Sequence, residues 1–573
     1  MRYFLISLFL ISLSVVADTT KSTPPKSKYS NGSGVEISQL SPLQHQKLEL
    51  LGQVWGFLKY YHPKSASGEL NWDHQLFEVL PDYLKASNQI QAEQVLSNWV
   101  TKLGKVDLCT SCQPTKSDSK LKPDHFWLNN IKSKKLVQQL EYIYKNRYQG
   151  KHHYVAYENS PAPTFTNEKA YKDMAYPDIG HRLLSLYRYW NIVHYFFPYK
   201  YLTDTNWQEV LSKHLPNFIL AENELAYELA VTKLLEEADD SHVVLWGKNA
   251  IFSQNKYQAP YIARWVENQL IVSSLIPLLK KPNYHYQLEV GDVITEFNGV
   301  PINEVIRQKT SLIAASNFKG KMLRLGYQLF VDSKKLTSIT VIRKSNSLSF
   351  QLNNLPPKNI DFNKVDVPKI AGSHSKLQGN VGYISIGQLA INDVDSAMSE
   401  LFDTNGIIID LRQYPKEPTL HALGKYFVNK PIEFVSATGA KLDNPGEIET
   451  KDKLKVNPGN SLYQKPLVVL INEQSQSQPE FIAMALQKGV NTTLVGSNSA
   501  GADGDMTFFY LPGGLKTSFS GVGIYYPNGE ETQRIGIIPD VRVEPTIEGI
   551  KQGKDELLDA AIALIKEKNH SSL

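Results

Sequence analysis

"PLVVLINEQSQSQPEFIAMAL", Pro466–Leu486, decides how this chain is read. Its start is an unbroken apolar run of strand length, and its end is an apolar segment opened by Pro479, a residue suited to a first helical turn. Between them, Ser477 and Glu480 satisfy S-x-x-E, the capping box in which two side chains serve each other's backbone donors. The same strand-to-helix turn exposes Ser477 at the carboxyl edge of a sheet, where α/β folds hold ligands. The free N–H groups of the helix there can stabilise an oxyanion. Cap and nucleophile are compatible roles for one serine.

Outward from this stretch, residues 366–573 alternate apolar runs ("NVGYISIG", "GIIIDLR", "PLVVLIN", "TTLVGS") with helical segments and end in an amphipathic helix from about Lys554, which argues an α/β layer. Upstream, residues 255–352 change to short strands such as "QLIVSSLI" and "SITVIRK" around "YQLEVGDVITEFNGVPINEVI". With Gly291 and Gly299 at the turns, this has the look of a PDZ-like domain, which binds an extended peptide along a sheet edge. Earlier still, "VWGFLKYYHP" with "NWDHQLFEVL" recurs as "YWNIVHYFFP" with "NWQEVLSKHL". Trp55, Pro63 and Trp72 map onto Trp190, Pro198 and Trp207 at an offset of 135 residues. Both copies carry aromatic and aliphatic residues at helical spacing, so residues 40–150 and 170–250 read as two copies of a helical unit. The first copy ends in "KLGKVDLCTSC" and the second in "LLEEADDSHVVLWG", so only the second offers a histidine, His242, after an acidic turn.

The N-terminus places Arg2 before "FLISLFLISLSVVA", with Val15 and Ala17 before a plausible cut, so residues 1–17 read as a secretory signal peptide, too short for a membrane span. Residues 18–39, rich in Ser, Lys, Pro and Gly, read as a flexible linker. No cysteine follows the apolar run, so a lipid anchor is not expected. The two cysteines, Cys109 and Cys112, are expected to form a local disulfide in an exported chain; a reduced pair and a redox motif are the alternatives, and zinc lacks further ligands. A net charge of +4 on 61 basic and 57 acidic residues, without charge blocks, gives no reason to expect nucleic acid as a partner.

A nucleophilic serine needs a base. Lys488 is 11 residues along the same helix, roughly 16 Å away at 1.5 Å per residue, and nothing turns Lys516, beyond "LPGG", inward. His242 is the leading base.

In order, "GYISIGQL", "IIIDLR", "PLVVLINEQSQSQPEFIAMAL", "LVGSNSAG", "LPGGLKTSFSGVGIYYPNG" and "GIIPDV" resemble the protease domain of the tail-specific (C-terminal processing) serine peptidases, over roughly residues 170–570. The bacterial branch of that family carries a lysine in a "G-K-G" turn, where this chain has "SAGADGD". The tricorn-like branch carries a Ser-His pair and a glutamate before "G-x-x-PD", and this chain has "DDSH" and "GEETQRIGIIPD". The resemblance therefore implies Ser477 as nucleophile, His242 as base, and Ser241 with Glu531 (Glu530 as the fallback) orienting the imidazole. For the oxyanion it implies the Gln478 N–H and a second donor from "DLRQYPKEP", where Pro415 has no N–H and Tyr414 or Lys416 must serve. Asp410 and Arg412 are read as structural.

The expected fold class is multidomain α/β: a duplicated helical N-terminal region, a PDZ-like β-rich domain and an α/β protease core of the ClpP/crotonase-like type. The expected function is an exported serine endopeptidase, periplasmic or extracellular, acting on unfolded or tail-exposed polypeptides. The alternatives are a catalytically silent carrier of a peptide or apolar ligand, and a hydrolase of other acyl substrates. No cofactor, no metal and no integral membrane segment after signal removal are expected, and oligomeric state is left open by the sequence.

Overall fold

A computed structural model describes residues 28–570 apart from 30, 31, 38, 280–283, 366–369 and 452. The signal-peptide reading, and most of the linker reading, fall outside these residues.

Two helix sets build the N-terminal half. In the first, Pro42–Tyr61, Trp72–Lys85 and Gln89–Leu103 follow one another; in the second, Ile179–Phe196, Trp207–Ile219 and Glu224–Glu236 do. Their starts are fixed by asparagine side chains that accept the orphan N–H groups of the first turn: Asn71 and Asn88 in one set, Asn206 and Asn223 in the other. Each set is locked by a reciprocal tryptophan pair. Trp55 and Trp72 donate their indole N–H groups to each other's carbonyls at 3.1 and 2.9 Å, and Trp190 and Trp207 do the same at 2.8 and 3.1 Å. Four buried indoles thus keep their only donor satisfied, which removes the main cost of burying them.

Cys109 and Cys112 are joined in a disulfide. The chain beyond it runs along the C-terminal half, where Leu121 bridges Ile448 and the Glu447 carboxylate accepts from Lys116 N and Ser119 Oγ.

The β-rich part is an antiparallel sheet in the order Asn346–Asn353, Leu336–Arg343, Val293–Phe297, Gln269–Leu275, Tyr261–Val266. The helix Phe318–Gln328 lies against the last of these strands. Gly326 makes that approach possible, because a Cβ there would stand 2.0 Å from the Ala263 carbonyl oxygen.

In the C-terminal half one sheet runs His374–Leu377, Val381–Ser385, Ile407–Asp410, Leu467–Ile471, Thr492–Gly496, Val541–Arg542. The first pair is antiparallel and the others parallel. Ile407, Ile409, Val469 and Ile471 pack toward the helix Gln478–Leu486, while Ile408, Val468 and Leu470 meet Leu557, Ala561 and Ile565 of the last helix, Glu556–His570. Both faces are covered, which is why these strands are continuous apolar runs rather than alternating ones. A separate hairpin, Met506–Leu511 with Leu515–Ser520, takes the short strand Leu245–Trp246 as its third member. That pairing brings the segment just after His242 alongside the strand that ends in Ser520.

Candidate active site

Ser477 stands at the carboxyl end of the strand Leu467–Ile471 and immediately before the helix Gln478–Leu486. Its backbone has φ 64° and ψ −119°, a conformation suited to glycine and costly for a side chain by about 1–3 kcal/mol. Two acceptors hold it there: Ser477 N–H lies 2.9 Å from the Ala502 carbonyl and 3.0 Å from the Glu480 carboxylate. Glu480 is buried and also accepts from Ser499 Oγ, Gly501 N and Ala502 N, so one carboxylate binds the Ser477 turn to the neighbouring loop. Burial pushes its pKa up and these donors pull it down, with burial the larger effect. The capping box between Ser477 and Glu480 is thus formed, and the Tyr414 phenol lies near the serine side chain. Gln478 N–H occupies the first helical position, where no intrahelical acceptor exists.

His242 is buried and comes from the other half of the chain. Gln476 Nε2 donates to the Ser241 carbonyl at 3.3 Å, which sets the residue before Ser477 against the residue before His242. Around the imidazole, Nδ1 is 2.8 Å from Ser520 Oγ, and Ser520 Oγ donates to Asp240 Oδ1 at 3.0 Å. Asp240 also accepts from Ser520 N at 2.6 Å, from His242 N at 3.0 Å and from Gln533 Nε2 at 3.3 Å. Desolvation holds the imidazole pKa below its ordinary value; Asp240 and Asp505 raise it, and Arg324 lowers it further. Among the described residues no hydrogen bond joins Ser477 to His242.

The other expected residues are placed differently. The Ser241 hydroxyl is paired with Ser316 rather than with the imidazole: it accepts from Ser316 N at 2.9 Å, while Ser316 Oγ accepts from Ser241 N at 2.8 Å. Arg324 donates to the Ser241 and Ala314 carbonyls. Glu531 is likewise held elsewhere: Lys120 Nζ at 2.9 Å and Tyr201 Oη at 2.6 Å donate to its Oε1, the chain beyond the disulfide passing there. Glu530 is exposed in the same turn. The carboxylate joined to His242 is Asp240, the second residue of the "DDSH" turn. Its Oδ1 accepting from the N–H two residues on is an aspartate turn that the sequence could have signalled. Nothing in the sequence singled out Ser520 or Gln533.

Lys416 N donates to the Ile386 carbonyl, while Tyr414 N–H meets no acceptor among the described residues. Lys488 sits over the Tyr526 ring and Lys516 over Phe508 and Trp246. Arg412 pairs with Asp410 and Asp555, tying the sheet to the last helix. Among the described residues no group of histidine, cysteine and carboxylate side chains could hold a metal ion, and no helix is long and apolar enough to cross a membrane.

Residues 380–543 match the family model described as peptidase family S41. A carboxy-terminal-processing protease of Bartonella bacilliformis is 29% identical over 207 residues, covering 34% of this chain and 45% of that protein. A carboxyl-terminal-processing protease of Synechocystis is 28% identical over 170 residues, covering 29% and 38%. The matches thus span less than half the length of these relatives. Among solved structures, mature CPAF complexed with lactacystin has a TM-score of 0.54 over 69% of this chain and 99% of its own, at 14% identity, a likeness of fold. The α/β layer that carries Ser477 is thus similar to peptidase family S41 and to the carboxyl-terminal-processing proteases that it matches in part.

Proposed function

We propose that the protein is a serine endopeptidase that cleaves unfolded or tail-exposed polypeptides with Ser477 as nucleophile and His242 as general base. The observation that carries this reading is the Ser477 turn itself: a strained serine at the end of a buried parallel strand and at a helix N-terminus, with Gln476 holding the segment of a buried histidine beside it. In the reaction, Ser477 Oγ attacks the scissile carbonyl and His242 Nε2 takes its proton and returns it to the leaving amine. The oxyanion is received by the Gln478 N–H, which opens the helix, and by the Tyr414 N–H, which meets no acceptor among the described residues. Substrate entry displaces the Tyr414 phenol from the serine hydroxyl and draws the nucleophile and base together, since such bonds are commonly long in the free enzyme.

The β-rich part, read as PDZ-like, supplies a surface for extended peptide, and the leader at residues 1–17 directs export to the periplasm or the medium. N-terminal sequencing of the mature protein checks the leader, with Asp18 the expected first residue.

A second reading is favoured by one observation: among the described residues no hydrogen bond joins Ser477 to His242, while the Tyr414 phenol lies near the Ser477 side chain. On it, the groove holds a peptide without cutting. Labelling with a fluorophosphonate separates the two. The wild type is expected to label, and Ser477→Ala and His242→Ala to lose labelling and about a thousandfold or more in turnover. An unlabelled, inactive wild type establishes the second reading.

A further inference from the structure

We infer that Ser520 and Asp240 are the positioning residues of the base, a hydroxyl relay that fixes the His242 tautomer in the place where a directly bonded carboxylate is usual. The inference rests on the reading of His242 as base. Its geometry stands apart from that reading and is wholly buried: Asp240, Ser520 and Gln533 are each within 1% of full burial, and His242 is 3% exposed.

The direction of the protons follows from the inventory of donors. Asp240, as a carboxylate, only accepts, and it faces four donors: Ser520 N, Ser520 Oγ, His242 N and Gln533 Nε2. Ser520 has one hydroxyl proton. Were that proton given to His242, Ser520 Oγ would face Asp240 Oδ1 at 3.0 Å lone pair to lone pair, a repulsive contact. The proton therefore points to Asp240, and Ser520 Oγ accepts from His242 Nδ1–H at 2.8 Å. With Nδ1 protonated, the lone pair is on Nε2, the nitrogen left for Ser477. When Nε2 takes the Ser477 proton, the imidazolium is stabilised through Ser520 by the Asp240 charge, and Asp240 takes no proton itself.

The local sequence explains why these residues meet. The strand pairing of Thr517 with Leu245 and Lys516 with Trp246 runs antiparallel, so Ser520 comes level with the turn before Leu245. Ser518 Oγ donates to the His242 carbonyl and fixes that register. Gln533, two residues beyond Glu531, donates from Nε2 to Asp240 Oδ1, and the same Nε2 also reaches Ser316 Oγ at 3.4 Å.

The test has two readouts. Nitrogen-15 NMR of the histidines in the Ser477→Ala protein, with His242 assigned by its loss in His242→Gln, is expected to show Nδ1–H as the dominant tautomer and a slowly exchanging proton on it. In Ser520→Ala that proton is lost to fast exchange. In kinetics, Ser520→Ala and Asp240→Asn are each expected to lower kcat about 10²-fold or more, in the manner of an orienting group in a triad, with KM within about twofold. The acid limb of kcat/KM moves to lower pH in both, because the imidazolium loses its support while Arg324 still opposes it. The double variant is little worse than either. An Nε2–H tautomer in the otherwise native protein, or a Ser520→Ala variant with unchanged kcat and pH limb, overturns the relay. Should Ser520→Ala fail to fold, the tautomer of the unsubstituted base still decides. If Ser477→Ala keeps its hydrolytic rate while the Nδ1–H tautomer is found, the peptidase reading fails and the relay stands.

Discussion

At Ser477, the proposed nucleophile and a strained backbone coincide. A φ of 64° with ψ −119° is a glycine conformation, so Ser477→Gly is expected to relieve roughly 1–3 kcal/mol that Ser477→Ala retains. The glycine variant should therefore unfold at a higher denaturant midpoint than the alanine variant, and equal midpoints would show that the turn stores no strain. With His242 as the proposed base, the imidazole sets the expected pH response. Its folded pKa is held below 6.5 by burial, and only the neutral imidazole accepts a proton. Activity is present above that folded pKa and lost as pH falls through it, so the acid limb of kcat/KM is expected below pH 6.5; a limb above 6.5 would contradict the burial argument. Residues of this kind were legible where the chemistry is local: Ser477 in a strand-turn-helix pattern, His242 after an acidic turn. Ser520 was not, because "KTSFSG" reads as any hairpin strand and its partner Asp240 lies 280 residues away. The Glu531 partners were not legible either, because short-range pattern does not reveal that Lys120, 411 residues earlier, donates to it.

Elements were easier to read than their contacts. Buried parallel strands announce themselves as apolar runs, and the runs before Asp410, Asn472 and Ser497 became strands Ile407–Asp410, Leu467–Ile471 and Thr492–Gly496. The expected last helix, from about Lys554, begins at Glu556. No periodicity told how closely the helix Phe318–Gln328 would settle on the strand Tyr261–Val266, since that depends on one absent Cβ at Gly326. Gly326→Ala is expected to force the helix outward and cost about 1–3 kcal/mol, read as a fall in thermal midpoint. The same helix carries Arg324, which holds the Ser241 carbonyl, so kcat should fall with stability. A variant with lowered midpoint and full kcat would separate the helix from the site.

Across the whole molecule, histidine burial is concentrated in the helical half. His62, His125 and His152 are each pushed down to about 4 by burial, and His194 lies well below 6.5. In the unfolded chain these groups bind protons near 6.5; in the folded one they do not until about 4. Their contribution is therefore intact above pH 6.5 and is lost progressively between 6.5 and about 4. Asp239, pushed up to about 6 by burial at the junction with Arg534, acts in the opposite sense, since its folded form takes a proton first as pH falls. Native-state hydrogen exchange, corrected for intrinsic rates, should show Pro42–Tyr61 and Ile179–Phe196 losing protection over that window before the central strands of the C-terminal sheet do. Simultaneous loss would mean the acid response belongs to the whole fold. The joint between Gln476 and Ser241 spans 235 residues of chain. Synthesis delivers the histidine side of that joint long before the serine side, and the Ser316 clamp between them arrives in the middle. A growing chain that ends before residue 477 thus holds only the His242 side of the proposed pair, and that half has no nucleophile to activate until the strand Leu467–Ile471 and the turn after it have been made.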